Sequence, residues 1–280
     1  MMLRKMKLKD KNTLRKSLSY LLLLVVTVII LAPIIIAFSN AFKFEADIYA
    51  VPFNLIPTNP TLENFHALLD KFPIYIFNSF KVTGIIVFLQ IITATTAGYC
   101  FSKLKWRGRD FVFILYIASI MIPGQAVIIP QFLIVQNLGL YNSHTGLILV
   151  SAFTAFGTFL VKQFFVTIPE SLVESARIDG ASEFLIFRKI MLPLSKTVIA
   201  TLIIFSFRFF WNDFFGPLIY LSSPSLKTLP LGMADFANEY YTYVGPQMAA
   251  AVISIIPVLI VFLAAQKHFV QGTMSAGIKG

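Results

Sequence analysis

Leu18-Ser19-Tyr20-Leu21-Leu22-Leu23-Leu24-Val25-Val26-Thr27-Val28-Ile29-Ile30-Leu31-Ala32-Pro33-Ile34-Ile35-Ile36-Ala37-Phe38-Ser39 contains no charged side chain. At about 1.5 Å of rise per residue such a run forms a helix of about 33 Å, enough to cross the ~30 Å hydrocarbon core of a bilayer. Five further stretches are long and mostly apolar: Ile76–Phe101, Phe111–Ile129, Gly146–Val166, Thr197–Leu221 and Gln247–Val270. The chain is therefore read as an all-α polytopic membrane protein with six transmembrane helices. The third stretch carries Pro123-Gly124, which predicts a kink or break near its outer end.

The whole composition agrees. Of the 280 residues 57% are hydrophobic and 13% charged, and the mean hydropathy is +0.79. A soluble domain carries about 25% charged residues, and a disordered chain is poor in apolar ones. The net charge of +10 does not imply nucleic acid, because the basic residues form no single face and sit in the gaps between apolar runs. The lone cysteine, Cys100, lies inside the second run and excludes an intrachain disulfide.

Those gaps set a direction. Arg4, Lys5, Lys7, Lys9, Lys11, Arg15 and Lys16 precede the first span, and Lys103, Lys105, Arg107 and Arg109 follow the second. Lys162 at the end of the fourth is followed by Arg177, Arg188, Lys189 and Lys196, and Lys267 at the end of the sixth is followed by Lys279. The alternate gaps hold Lys43, Lys71 and Lys227 beside six acids. Eighteen basic residues against three place both termini in the cytoplasm, with Lys81 and Arg208 inside spans. The basic start followed by apolar residues has the order of a signal peptide, but the run is too long for one, and the first span is read as an uncleaved anchor. The resulting organisation is a basic cytoplasmic segment at 1–17, a six-helix permease domain at 18–270 and a cytoplasmic tail at 271–280.

The longest cytoplasmic gap is the most structured. It runs Ile168-Pro169-Glu170-Ser171-Leu172-Val173-Glu174-Ser175-Ala176-Arg177-Ile178-Asp179-Gly180-Ala181-Ser182, then Glu183-Phe184-Leu185-Ile186-Phe187-Arg188-Lys189-Ile190-Met191-Leu192-Pro193-Leu194. Pro169 and Glu170 suit a first helical turn, Gly180 a left-handed stop, Ser182 the cap of a second helix and Pro193 its end. The sequence predicts two short helices, the first amphipathic.

This segment resembles the EAA loop of ABC-importer permeases. The resemblance is carried by Glu174-Ser175-Ala176, by Gly180 four residues after Ala176, and by Ile190-x-Leu192-Pro193, all just before the second-last span. Ser175 departs from the family's usual alanine, but serine is also small enough for close docking. Asn78-Ser79-Phe80, Phe101 to Arg109, Ile122-Pro123-Gly124-Gln125, Trp211-Asn212-Asp213-Phe214, Met248 to Ala251 and the ending through Gly272 and Gly280 add to it. From about residue 15 onward the chain is similar to the carbohydrate ABC-importer permeases of the maltose-system G type.

The resemblance implies a type I ABC-importer permease fold and a subunit without catalysis of its own. It also implies a coupling helix inserted into an ATPase dimer through Glu170, Glu174, Ser175, Ala176, Asp179, Gly180, Leu192 and Pro193. The implied partners are that dimer, a second paralogous permease, an extracytoplasmic sugar-binding protein and the lipid bilayer of a bacterial plasma membrane. The implied cargo is a carbohydrate, an oligosaccharide by type, although monosaccharides, polyols and glycerol-phosphate compounds use similar permeases. No cofactor or metal is expected on this chain; ATP and Mg would serve the partner ATPase. In agreement, the sequence contains no Gly-Lys dipeptide, so it lacks a phosphate-cradling Walker loop. His66, His144 and His268 stand apart, without metal-site spacing.

Two further groups are candidates. Arg208, Trp211, Asn212 and Asp213 in the fifth span, with Gln90 in the second, bring donors, acceptors and an aromatic ring to membrane depth, where charge faces a cavity or a partner. The open alternatives are a translocation lining and an internal or inter-subunit polar contact. Asp235, Asn238, Glu239, Tyr240 and Tyr241 mix aromatic and polar groups on the last outer loop, suited to the sugar-binding protein or to an interfacial aromatic belt. The competing function is an ion-gradient-driven secondary transporter. The Pro123-Gly124 break hints at it, but no matching break appears in the other half.

Overall fold

The computed structural model describes the backbone of residues 2–236 and 243–277 and the side chains of 16–236 and 243–266. Among the described residues all regular structure is helical. Two compact units separate, Met1–Asp70 with Phe236–Ser254, and Lys71–Asp235 with Ile255–Gly280.

The first unit contains α1 (Met2–Ala41), α2 (Glu45–Ile48), α3 (Glu63–His66) and the start of the last helix, Val244–Gly277. Side chains of α1 from Lys16 to Ile30 are all exposed, as suits a helix surrounded by lipid. The connection beyond it is tied down by polar groups. The Asn64 amide donates to the carbonyls of Ala41 and Lys43 at 3.0 and 2.7 Å. Thr61, just before α3, accepts from the Glu63 N–H at 3.1 Å. Glu45 accepts from the N–H groups of Val244 and Gly245, both at 2.9 Å, an acid at the positive end of a long helix.

The second unit is built around α4 (Phe72–Lys103). Around it lie α5 (Arg109–Ala118), α6 (Gly124–Asn137), α7 (His144–Ser151), α8 (Ala155–Thr167), α9 (Glu170–Ile178), α10 (Glu183–Ile186), α11 (Leu192–Leu194), α12 (Lys196–Trp211), α13 (Phe215–Tyr220) and α14 (Leu229–Met233). Helix α15 (Val244–Gly277) completes the chain order. Helix α4 packs mainly on α8 and α12. Gly98 permits the α4–α8 approach, since a Cβ there would lie 2.8 Å from a Val161 methyl and 3.2 Å from the Lys162 amide nitrogen. Gly157 likewise admits a Leu202 methyl of α12. Small residues allow such crossings in membrane bundles, where no hydrophobic effect drives helices together.

Among the described residues three helices are long and apolar enough to cross a bilayer: Lys16–Ala41, Phe72–Lys103 and Val244–Gln266. The others are bent pairs, which bring the total to six if each pair is one span. Arg109–Met121 and Gly124–Asn137 meet at 102°. The kink or break expected at Pro123-Gly124 is thus present, between the two helices of this pair. Ile122 is extended, the conformation favoured before proline, and the helix ends there. His144–Ser151 and Ala155–Thr167 meet at 41°, with Thr154 accepting from the Gly157 N–H at 3.0 Å. The fifth span, expected to run to Leu221, stops as a helix at Trp211. The Asn212 amide turns back on the Arg208 carbonyl at 2.7 Å, and Asp213 accepts from the Gly216 N–H at 3.1 Å, starting α13. Both side chains favour a helix end over its continuation.

Candidate functional site: the 168–194 loop and its clamp

The two predicted helices are present. Helix α9 begins after Pro169 with Glu170 in its first turn. At its end Gly180 has φ +81°, with its N–H on the Arg177 carbonyl at 3.0 Å and the Ala181 N–H on the Ala176 carbonyl at 2.9 Å. This is a Schellman stop, and the left-handed residue favours glycine. Ser182 then accepts from the Leu185 N–H at 3.3 Å and starts α10.

The second helix stops one residue past Pro193, close to the expected end. Pro193 sits in α11 after a π turn over Phe187–Met191, and the chain bends by 76° into α12. Proline lacks the N–H that would extend the ladder, and a widened turn accommodates the loss. Ser195, fully buried at the bend, donates its hydroxyl to the Leu192 carbonyl at 2.9 Å.

The inner face of the loop is apolar. Val173, Ile186, Phe187 and Met191 join Ala94, Tyr99, Val161, Phe165, Ile168, Val198 and Leu202 in one buried cluster. A polar clamp lies over it. Lys103, at the end of α4 and only 3% exposed at its side chain, donates to the Ile168 carbonyl at 2.7 Å and to Glu170 at 3.0 Å. Arg177 pairs with Glu183 at 2.7 Å and with Glu170 at 3.6 Å, and donates to the Lys103 carbonyl at 3.3 Å. Tyr99 donates its hydroxyl to Glu183 at 2.5 Å. The Arg177 guanidinium holds the Glu183 carboxyl below its ordinary value, helped by the Tyr99 hydroxyl, and Glu183 in turn raises Arg177.

The outer face is different. Glu174, Ser175, Asp179 and Gly180 are exposed, and Ala176 is half-buried. Between them stand large apolar groups, Ile178 at 86% and Phe184 at 70% exposed, with Leu172 and Leu185 also open. Glu170 separates from the residues with which it was grouped, since the structure turns it inward to Lys103 and Arg177. Leu192 is half-buried and Pro193 exposed near the bend. The sequence reading missed Lys103, Tyr99, Arg177 and Glu183; the basic run from Lys103 to Arg109 was the one available signal.

The fifth-span candidates divide. Arg208, Asn212 and Asp213 line a cavity of about 590 Å³ with Phe209, Phe214 and Phe215. Arg208 also borders a second cavity of about 370 Å³ that reaches Gln90 and Ser206. No ion pair joins Arg208 to Asp213 among the described residues. Trp211 does not join this lining. It is 1% exposed, stacked on Phe207 at 5.5 Å and tilted against Phe80 at 4.7 Å. Gln90 is buried and bonded at both ends, donating to the Ser151 carbonyl at 2.8 Å and accepting from Ser206 at 2.7 Å. It is a brace between helices.

The 222–235 loop is strapped to α4 and to Asn142. Asn78 donates to the carbonyls of Ser225 and Lys227, both at 2.9 Å, and Ser79 accepts from the Leu229 N–H at 2.7 Å. Asn142, with φ +53°, accepts from the N–H groups of Ser222 and Ser223 at 2.9 Å and donates to the Ser223 hydroxyl at 2.7 Å. Asp235 pairs with Lys227 and accepts from Tyr75 at 3.2 Å, which fastens the loop, and it stays exposed. Asn238, Glu239, Tyr240 and Tyr241 lie outside the described residues.

Comparison with known proteins agrees with this architecture. Residues 90–275 match the family described as "Binding-protein-dependent transport system inner membrane component". The chain is 33% identical over 227 residues to the arabinooligosaccharides transport system permease protein AraQ of Halalkalibacterium halodurans, covering 80% of this chain and 81% of that protein. It is 31% identical over 268 residues to the sn-glycerol-3-phosphate transport system permease protein UgpE of Salmonella typhi, covering 92% and 95%. Among solved structures, a bacterial ABC transporter involved in the import of the acidic polysaccharide alginate superposes with a TM-score of 0.83. The match has 26% identity and covers 92% of this chain and 98% of the other.

Proposed function

The chain belongs to the binding-protein-dependent transport system inner membrane components, and we propose that it is one permease subunit of an ATP-driven importer for a carbohydrate, of the oligosaccharide type. It lies in the bacterial plasma membrane with both termini in the cytoplasm, as the basic gaps direct. It pairs with a second, paralogous permease to complete the pore, receives solute from an extracytoplasmic sugar-binding protein, and leaves ATP and Mg to a partner ATPase dimer.

The observation that carries this reading is the two-faced 168–194 loop. Its inner face is welded to α4 and α8, while its outer face offers Leu172, Ile178 and Phe184 ringed by Glu174, Ser175 and Asp179. Exposed apolar groups on a rigid, acid-edged knob suit insertion into a partner's cleft. Gly180 and Ala176 keep the approach close, and Leu192 and Pro193 set the exit into α12. Arg208, Asn212 and Asp213 are proposed to face the solute path. Trp211 and Gln90 support that face from within.

The test is co-purification and energetics. Expressed with its neighbouring transport genes, the chain should carry an ATPase subunit through purification, and reconstituted uptake should require ATP. Uptake abolished by an ionophore and indifferent to ATP would establish the ion-driven alternative instead.

A further inference from the structure

Three spans meet the 168–194 loop, and they hold it differently. Helix α8 enters through Ile168, whose backbone is extended. Helix α12 leaves through the π turn and the 76° bend at Ser195. Both covalent neighbours therefore join the loop where the regular α-helix is interrupted, by an extended residue at Ile168 and by a bend at Ser195, and such element ends absorb changes in φ and ψ. Helix α4, remote in sequence, is joined by side chains that grip both ends of α9. Lys103 holds the entry, through the Ile168 carbonyl and Glu170. Its own carbonyl takes Arg177 at the exit, and Arg177 passes the connection through Glu183 to Tyr99. Tyr99 and Lys103 are four residues apart, on one face of α4. Beneath them, Tyr99 packs on Phe187 at 5.4 Å and on Phe165 at 6.5 Å. The buried ammonium is little screened, so its contacts are directional and stiff.

We propose that Lys103 and Tyr99 are positioning residues that lock α9 to the cytoplasmic end of α4, so that a displacement of α9 is delivered to the second span as a rigid-body movement while α8 and α12 flex at their joints. This rests on the reading of the loop as the ATPase-docking element. It assigns the clamp a role in transmission that local folding alone would not require.

The test uses the complete importer in nanodiscs, with Cys100→Ser and spin labels at Thr96→Cys on α4 and Ser171→Cys on α9, both exposed positions. With Lys103 in place the inter-label distance should be the same in nucleotide-free and ATP-bound states. In Lys103→Met a second distance should appear on ATP binding, and solute moved per ATP hydrolysed should fall about tenfold, the scale of one lost charge-assisted hydrogen bond. Lys103→Arg should restore both readouts. Tyr99→Phe, which keeps the ring packing and removes only the hydroxyl, should lower the ratio about threefold and carries the test if Lys103→Met fails to assemble. A distance that already changes with ATP in the parent complex, or an unchanged transport ratio in Tyr99→Phe and in an assembled Lys103→Met complex, overturns the proposal. A parent chain that never retains an ATPase instead overturns the functional reading on which it rests.

Discussion

Gly180 separates a backbone requirement from a space requirement. It sits at φ +81° with nothing within 4 Å of where a Cβ would point. A side chain in the free subunit therefore meets no neighbour, and the cost of a substitution is conformational. An L-residue in the left-handed region costs about 1–2 kcal/mol, least for Asn and most for a β-branched residue. On that scale Ala costs about 1 kcal/mol and Val about 2, or roughly fivefold and thirtyfold in the population of the native turn. Neither approaches the ~5–15 kcal/mol that holds a domain folded, so every variant should insert and purify as a single species. Uptake and ATPase retention measured for Gly180→Asn, Gly180→Ala and Gly180→Val should fall in that order. A decline ordered by side-chain volume, with Asn as damaging as Val, would refute the backbone argument and place a tight wall of the partner at this position. Parent-level activity in Gly180→Val would remove the turn from the mechanism altogether.

Other outcomes follow from the same geometry. Gly98→Val drives a branched side chain into Val161 and the Lys162 backbone, and overpacking of this kind costs about 1–3 kcal/mol; fluorescence-detected thermal unfolding in detergent should show the loss. Arg208→Ala should leave assembly intact and cut uptake about tenfold, the scale of one lost charge-assisted contact; unchanged uptake would assign Arg208 to packing against the sister permease. Glu183 has a folded-state pKa below its ordinary 4.5, chiefly through Arg177. Its contribution is therefore present above the unfolded value and lost as pH falls through the lower folded one. Protection of the α10 amides against exchange should accordingly hold from neutral pH down to the ordinary carboxylate range and fall below it, and Arg177→Met should flatten that fall, because the difference between the folded and unfolded pKa of Glu183 shrinks. Asn142→Ala removes three hydrogen bonds and a left-handed residue that suits Asn, about 2–3 kcal/mol at roughly 1 each, and should open the 222–235 segment to limited proteolysis.

The sequence and the structure differ where distant residues meet. Spans were legible because hydropathy is a local sum, and the Schellman stop at Gly180 was legible because each of its bonds joins residues at most five apart. The break after Trp211 was not. Hydropathy stays high through Phe214 and Phe215, and only the short bonds of Asn212 and Asp213 reveal that the helix has ended. Trp211 shows the complementary failure. A heptad or a helical wheel places it beside Arg208 and Asn212, but Phe80 and Phe207 enclose its ring, and Phe80 lies on another helix.

The clamp was the least legible feature, and its composition explains why. Lys103 belongs to a run of basic residues that the positive-inside bias already accounts for, so one buried lysine among exposed ones leaves no mark on composition. Its partner Glu170 looked equally well explained as an acid at a helix start. Each residue had a sufficient local reason, and the contact between them, 67 positions apart, is a second use of the same charges. The Asn78-Ser79 pair is the parallel at the other end of the helix. It marked the beginning of a span in the sequence, and in the structure it holds the 225–229 backbone at the opposite end of α4. One helix thus grips the 168–194 loop with its last turns and the 222–235 loop with its first. A movement imposed on either loop has α4 as its shortest mechanical route to the other.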